Sequence, residues 1–383
     1  MRILLVANYK PDQQRSMARY AEFLHAELRN RGHAAEIIHP PVIATRLMGR
    51  GNRLFRWLAY LDKFVFFPPL LRLRARRADV VHVCDHSNSW YLRWTGNTPN
   101  VITAHDALAI RSALGHFPQN PTRASGVVLQ RWILRGLTHA DWIACVSDKT
   151  RRDFESLLPA QSRMSVIGNP VDRSFRPARA DDVKVLRASL GIAPEKEYLL
   201  HVGKDNWYKN RPGVLRIMAE LRKLPRFSRV KLVMAGAPLP PALRETADSI
   251  GGVVELPGPT DEQLRALYTG ALALLFPSFE EGFGWPILEA QACGCAVITS
   301  ARPPMMDVAG DAAILIDPEE AASAAAAISG QIEEVPRLRQ AGLANVRAFS
   351  MDSTVERYCG IYHELASASP RKRKSRGEMK AAV

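Results

Sequence analysis

Short apolar runs alternate with amphipathic stretches along almost the whole chain. In the first half RILLVA, AEIIH, DVVHVC, NVITAHD, DWIACVS and MSVIGNP are rich in Val, Ile and Leu, short, and bounded by turn residues. Each predicts a buried strand. In the second half YLLHVG, KLVMAGA, VVELPG, ALALLF, AVITS and AAILIDP take the same part. Between the first two runs, RSMARYAEFLHAELRNRG sets Met17, Tyr20, Ala21, Leu24 and Leu28 on one helical face, with Gly32 as its stop. Pro212 marks another helix start, and Thr260 with Gln263 has the spacing of a capping box.

Alternation on this scale predicts α/β architecture, with parallel sheets covered on both faces. The two series meet near Asp172 to Pro194, which implies two doubly wound domains facing across a cleft. The expected layout is a Rossmann-like domain over 1–175 and a second over 190–348. A helix over 349–367 is expected to pack back towards the first domain, followed by a basic, disordered tail over 368–383. At 383 residues each domain is long enough to bury its own core. The first apolar run is too short for a signal peptide, and no apolar stretch is long enough to cross a bilayer, so a cytoplasmic protein is expected. The five cysteines lack the partners of a zinc site and read as reduced thiols.

Ligands of open parallel sheets bind at the carboxyl ends of the strands, and the unusual residues fall there. In FPSFEEGFGWPILEAQACG, residues 276–294, a strand gives way to two carboxylates, two glycines and a helix opening near Pro286. Backbone N–H groups of Gly282, Phe283, Gly284 and Trp285 beside a helix N-terminus suit an anion or hydroxyl oxygens. Glu281 and Glu289 flank that loop, and a carboxylate accepts two O–H bonds at once, as a sugar or ribose diol offers. A lone carboxylate at a helix start reads as well as a favourable dipole charge. In HVGKDNWYKNRPG, Lys204 and Lys209 bracket the loop after a strand and suit a diphosphate; alone they read as a solvated basic loop. His105 and Asp106 end the strand NVITAHD, where a histidine serves structure as often as ligand binding.

Together these segments resemble the retaining glycosyltransferases of family 4, whose fold is GT-B. The resemblance runs over roughly residues 1 to 365 and is carried by VITAHD, ACVSDKTRRDF, VIGNPVD, VGKDNWYKN, LPGPTDEQLRALYTGA, PSFEEGFGWPILEAQACGCAVITS and VAGDAAILIDP. It implies transfer of a hexose from a nucleotide-diphosphate sugar to a glycan or lipid-linked acceptor, in cell-envelope or exopolysaccharide synthesis. It also implies that Glu281 and the amides of Phe283, Gly284 and Trp285 hold the donor sugar, and that Glu289 holds the ribose. Lys204 and Lys209 would neutralise the diphosphate, backbone near Leu256 and Pro257 would meet the base, and His105 would line the pocket beside the transferred sugar. His105, Lys209 and Glu281 are the three expected at the reacting centre. No metal or other cofactor is implied. Family members carry a double glycine after the first strand, where this chain has YKPDQQRSM with Arg15 and Ser16. Asp307 also stands where a glutamate is common. A relative that binds the donor without catalysis is the alternative reading.

The net charge of +14 is uneven. Residues 46–77 hold nine basic residues against Asp62, and the tail from Ser369 holds six against Glu378, so these two segments carry +8 and +5. With no nucleic-acid motif elsewhere, nucleic-acid binding is the weaker reading of this charge. Cations interleaved with Trp57, Tyr60, Phe64, Phe66 and Phe67 suit an anionic membrane surface. A buried helix pair with solvated arginines is the alternative.

Overall fold

A computed structural model describes residues 1–47 and 54–368. Residues 48–53 of the basic segment and the tail 369–383 lie outside the described residues; Ala368 is the last residue of the C-terminal helix. Each of the twelve expected runs is a strand: β1 Arg2–Val6, β2 Ala34–Ile38, β3 Val80–Val83, β4 Asn100–Ala104, β5 Trp142–Cys145, β6 Met164–Val166, β7 Tyr198–Gly203, β8 Lys231–Gly236, β9 Val253–Pro257, β10 Ala273–Phe276, β11 Ala296–Ser300 and β12 Ala313–Ile316. They form two wholly parallel six-stranded sheets, ordered β2-β1-β3-β4-β5-β6 and β12-β11-β10-β7-β8-β9. The first is the flavodoxin-like order and the second the dinucleotide-fold order. The strand order reverses between β1 and β3 in the first sheet and between β7 and β10 in the second. Those are the two switch points where such sheets open a crevice for a ligand.

The chain divides into two compact units, one of residues 1–168 with the C-terminal helix from Asp352, the other Asn169–Met351. In the first, core residues such as Val81, Val83, Ile102 and Ile143 come from sheet positions that are apolar on both faces, as a covered parallel sheet requires. The helix Met351–Ala368 joins that unit through polar contacts as well as packing. Tyr358 accepts from Tyr20 OH at 2.6 Å and meets Thr103 Oγ1 at 2.9 Å, and Tyr362 meets His82 Nδ1 at 2.5 Å. Residues 169–175 pack with the second unit, with Val171 N bonded to Phe349 O and the Phe175 ring 6.1 Å from Tyr268. The second core centres on Leu199, Leu232, Leu275 and Ile298 of its sheet with Val214 and Met218 of the covering helix Arg211–Arg222.

The basic segment forms the helices Phe55–Leu61 and Phe67–Ala75 joined by a π-helical turn, Asp62–Phe66. Pro68 has no N–H to give and crowds the carbonyl a turn earlier, and the wide turn absorbs that mismatch. Asp62 is fully buried and accepts five donors: the N–H groups of Ile43, Ala44 and Thr45, Thr45 Oγ1, and Tyr9 OH at 2.6 Å. Burial alone would raise its pKa, but the bonds from Tyr9, Thr45 and Ala44 outweigh it and hold the carboxyl below its usual range. Among the described residues no helix is long and apolar enough to cross a membrane.

Each unit buries a neutral histidine on one of its strands. His82 sits between Thr103 Oγ1 and Tyr362 OH, and burial, with nearby His105 adding to it, lowers its pKa to about 3. His201 donates through Nδ1 to Leu275 O at 3.0 Å; burial, with the charges of Lys209 and Arg211 acting in the same sense, brings it to about 3 as well. An unfolded histidine takes up its proton near pH 6.5, so between there and about 3 only the unfolded chain binds it. Stability from these groups is therefore complete above pH 6.5 and falls by about 1.4 kcal/mol per pH unit per histidine on acidification. Melting followed by calorimetry from pH 7.5 to 4.5 is expected to show both units losing stability below pH 6.5, and His82→Gln is expected to flatten the loss in the first unit only.

Candidate active site

The second unit gathers its chemistry at the β7–β10 switch point. After β7 the chain runs through an exposed Lys204 into the turn Trp207–Lys209, and after β10 it runs through Pro277 to the loop 278–284. The loops are fastened to each other. Phe279 N donates to Tyr208 O at 2.8 Å, and the buried Asn210 donates through Nδ2 to Pro277 O and Pro318 O at 3.0 and 2.9 Å. Asn210 also caps the next helix, its Oδ1 accepting from Gly213 N at 3.1 Å. One side chain thus holds the loops that leave β7, β10 and β12.

The product of that fastening is an ion pair. Lys209 Nζ donates to Glu281 Oε1 at 2.7 Å, the two side chains being only 12% and 9% exposed. The ammonium also stands 4.6 Å from the centre of the Phe276 ring, a cation–π contact at the end of β10. Beyond Glu281, Gly284 takes φ 102°, a conformation glycine adopts freely, and turns the chain into the helix Trp285–Ala292. Phe283 packs on Phe349 at 5.9 Å, and Trp285 Nε1 donates to Pro170 O at 3.2 Å, so both sides of the turn are anchored. On that helix Glu289 accepts from Tyr268 OH at 3.0 Å through Oε2. Tyr268 is fully buried, and burial together with the Glu289 charge pushes its phenol well above the usual range, so it remains a hydrogen-bond donor.

The structure therefore brings Lys209, Glu281, Gly282, Phe283, Gly284, Trp285 and Glu289 to one carboxyl edge. Leu256 and Pro257 end β9 at the same edge, two strands from β7. Lys204 shares the loop with Lys209 but is exposed, and among the described residues it enters no ion pair. Sequence reasoning passed over Asn210 and Tyr268. Asn210 had a signal, an N-cap residue two before a proline at a helix start; Tyr268 had none, because its partner is 21 residues away in sequence.

In the first unit, His105 follows directly after β4, with its ring edge against Tyr20 at 5.0 Å. Its Nε2 faces Cys84 O at 2.9 Å and so carries the proton. Nδ1 is then an acceptor, buried and without a partner among the described residues. Burial lowers the pKa of His105, against the opposing pull of Asp85, so the ring is neutral. At the β1–β3 switch point Asp85 accepts from Asn8 Nδ2 at 2.6 Å and from Ser87 N at 2.9 Å, with His86 Nδ1 3.5 Å away. Asn8 and Tyr9 thus brace the loop that lacks the double glycine, and the helix Arg15–Asn30 starts only after it. Among the described residues no three His, Cys, Asp or Glu side chains are grouped to hold a metal.

Residues 17–175 match the model of glycosyltransferase family 4, and residues 182–343 match that of glycosyl transferases group 1. The D-inositol 3-phosphate glycosyltransferase of Mycolicibacterium paratuberculosis is 31% identical over 271 residues, 63% of this chain and 58% of that protein. The enzyme of the same name from Nocardia farcinica is 27% identical over 76% of this chain and 68% of its own. The chain thus spans about three fifths to two thirds of these relatives. Among solved structures, sucrose-phosphate synthase from Thermosynechococcus elongatus superposes with TM-score 0.74 at 18% identity, covering 96% of this chain and all of that one. Anabaena HepE in complex with UDP-glucose superposes at 0.67 with 16% identity, over 95% of this chain and all of its own. At such identities the likeness shows the fold, which is GT-B. With the two models falling one on each unit, the chain belongs to the family 4, group 1 glycosyltransferases.

Proposed function

We propose that this chain is a retaining glycosyltransferase that moves a hexose from a nucleoside diphosphate sugar to a hydroxyl of a glycan or lipid-linked acceptor, in cell-envelope or exopolysaccharide synthesis. The observation that carries the reading is the Lys209–Glu281 pair at the β7–β10 switch point, beside the N-terminus of the helix Trp285–Ala292. The bond from the sugar C1 to the diphosphate breaks, a bond from C1 to the acceptor oxygen forms on the same face, and the acceptor proton leaves with the diphosphate. Lys209 meets the charge that grows on the departing oxygen, with Lys204 swinging in from solvent as a second cation. Glu281, already oriented by Lys209, accepts from hydroxyls of the hexose. Glu289, oriented by Tyr268, holds the ribose, and Leu256 and Pro257 flank the base. His105 offers Nδ1 to a hydroxyl of the transferred sugar; a neutral, buried imidazole suits that part and not that of a nucleophile. No metal takes part in this scheme, so turnover is expected to persist in chelator.

HepE was solved with UDP and with UDP-glucose, which makes the uridine nucleotide the first donor to test. The relatives named for D-inositol 3-phosphate make a phosphorylated polyol the acceptor to set against a lipid-linked one. The basic, aromatic segment 46–77, with the tail, supplies reversible attachment to an anionic membrane, the surface on which a lipid-linked acceptor is met.

Glu281→Gln keeps the bond from Lys209 while removing the charge, so the fold is expected to hold. Transfer is expected to fall about a hundredfold or more, while the thermal shift given by the nucleoside diphosphate persists. Full turnover in this variant would sink the assignment. Tyr268→Phe removes one bond to Glu289, of about 1 kcal/mol. Donor KM is expected to rise about fivefold with kcat little changed, in initial-rate assays with the donor varied.

A further inference from the structure

The first unit carries apolar side chains in solvent on two separate elements. Along the segment 54–75, Trp57 is 69% exposed, with Leu54, Val65 and Leu73 each about half exposed. The second element was not foreseen from the sequence. The helix Ala124–Leu137 presents Val128 at 60%, Leu129 at 41% and Trp132 at 61%, while only Ile133, Gly136 and Leu137 are buried. Positions 128, 131, 132 and 135 share one helical face, and the other two of them are the exposed Arg131 and Arg135.

The two elements are joined by a ladder of rings. Trp57 meets Tyr60 at 6.0 Å, Tyr60 meets Phe64 at 5.6 Å, and Phe64 meets Trp90 at 4.5 Å. Trp90 belongs to the turn His86–Trp94, against which the 124–137 helix lies directly: Ser89 Oγ donates to Ile133 O at 2.7 Å. At Gly136 even a methyl group would stand 2.8 Å from Trp90 N. The ladder from the first element therefore ends where the second is seated.

The charge on these elements has one sign. Neither helix of the 54–75 segment nor the helix 124–137 contains a carboxylate, and Asp62 is buried under its five donors. Arg72, Arg77, Arg131 and Arg135 are exposed. Arg74 pairs with Glu36 and Lys63 with Asp12, whereas among the described residues Arg72, Arg77, Arg131 and Arg135 enter no ion pair. Tryptophan and tyrosine amid such arginines is the composition of a surface that lies in a lipid headgroup layer.

We infer that the helix 124–137 is a second membrane-contact element, forming with the segment 54–75 one face that docks on anionic lipid. This deepens the attachment proposed for 46–77, and the two fail separately in the test. The full chain is sedimented with vesicles of phosphatidylcholine containing phosphatidylglycerol, and with phosphatidylcholine alone, at low and high salt. The parent is expected to bind only the anionic vesicles and to release in high salt. Val128→Glu with Trp132→Glu is expected to weaken partitioning about tenfold, as is Trp57→Glu, whereas Val185→Glu, at an exposed position of the second unit, leaves it unchanged. Bromine-labelled lipid should quench part of the tryptophan emission of the parent, and less of it in Trp132→Phe, a variant whose fold is not in question.

If the 128/132 variant binds as the parent does while Trp57→Glu does not, the inference about this helix is overturned and attachment through 46–77 stands. If the parent ignores anionic vesicles, both fall. Light scattering that shows a dimer dissociated by the 128/132 variant would assign the face to a second copy of the chain and likewise overturn it.

Discussion

Burying an ammonium beside a carboxylate is costly unless both are held where their attraction is strong, and removing either partner leaves an uncompensated charge. The second unit is arranged around that constraint. Lys209 and Glu281 lie 72 positions apart in sequence, and each reaches the pair only if its loop leaves the sheet in a fixed direction. The parallel order brings β7 and β10 side by side, the Tyr208–Phe279 bond sets the distance between their loops, and Asn210 prevents either from drifting. Phe276 then presents its ring to the cation from the strand end. Both charges are therefore oriented and partly stripped of water in advance, which is what electrostatic preorganisation requires.

The switch point of the first unit obeys the same topological rule with different chemistry. Its buried carboxylate is Asp85, which burial would raise; the neighbouring His86 and the bonds from Asn8 and Ser87 bring it below the usual range. Around it stand the neutral imidazole of His105 and the amide of Asn8, groups that recognise hydroxyls without offering strong charge. The contrast is one of chemistry: a buried cation–carboxylate pair stands at one switch point, and neutral donors and acceptors around a carboxylate stand at the other.

How far the sequence disclosed this depended on the range of each interaction. The strands were legible because a sheet covered on both faces demands continuous apolar runs such as NVITAHD and ALALLF. The loop after β10 was legible because its parts are local: a strand end, two glycines, a proline at a helix start. Asn210 binding Pro318, Tyr268 behind Glu289, and Asp62 gathering donors from residues 9 and 43–45 all join distant positions, and no period or spacing announces them. The exposed face of the 124–137 helix was hidden for another reason. VVLQRWIL has the apolar content of a core helix, and only packing decides which of its sides meets the sheet.

The bracing of the loop after β1 connects two of these features. Asn8 reaches into the switch point to bond Asp85, and the next residue, Tyr9, reaches the opposite way to Asp62 at the π turn of the exposed helical segment. Lys63, one residue further along that turn, returns to Asp12 at 3.0 Å and stands 5.4 Å from the Tyr9 ring. Both contacts come from Asn8 and Tyr9, which lie ahead of Arg15 and Ser16 in the same loop. The loop between β1 and the helix Arg15–Asn30 is thereby fastened to the aromatic, cationic segment. The residue that reaches the switch point and the residue that reaches Asp62 are neighbours in the chain, so the position of one constrains the other through a single peptide unit.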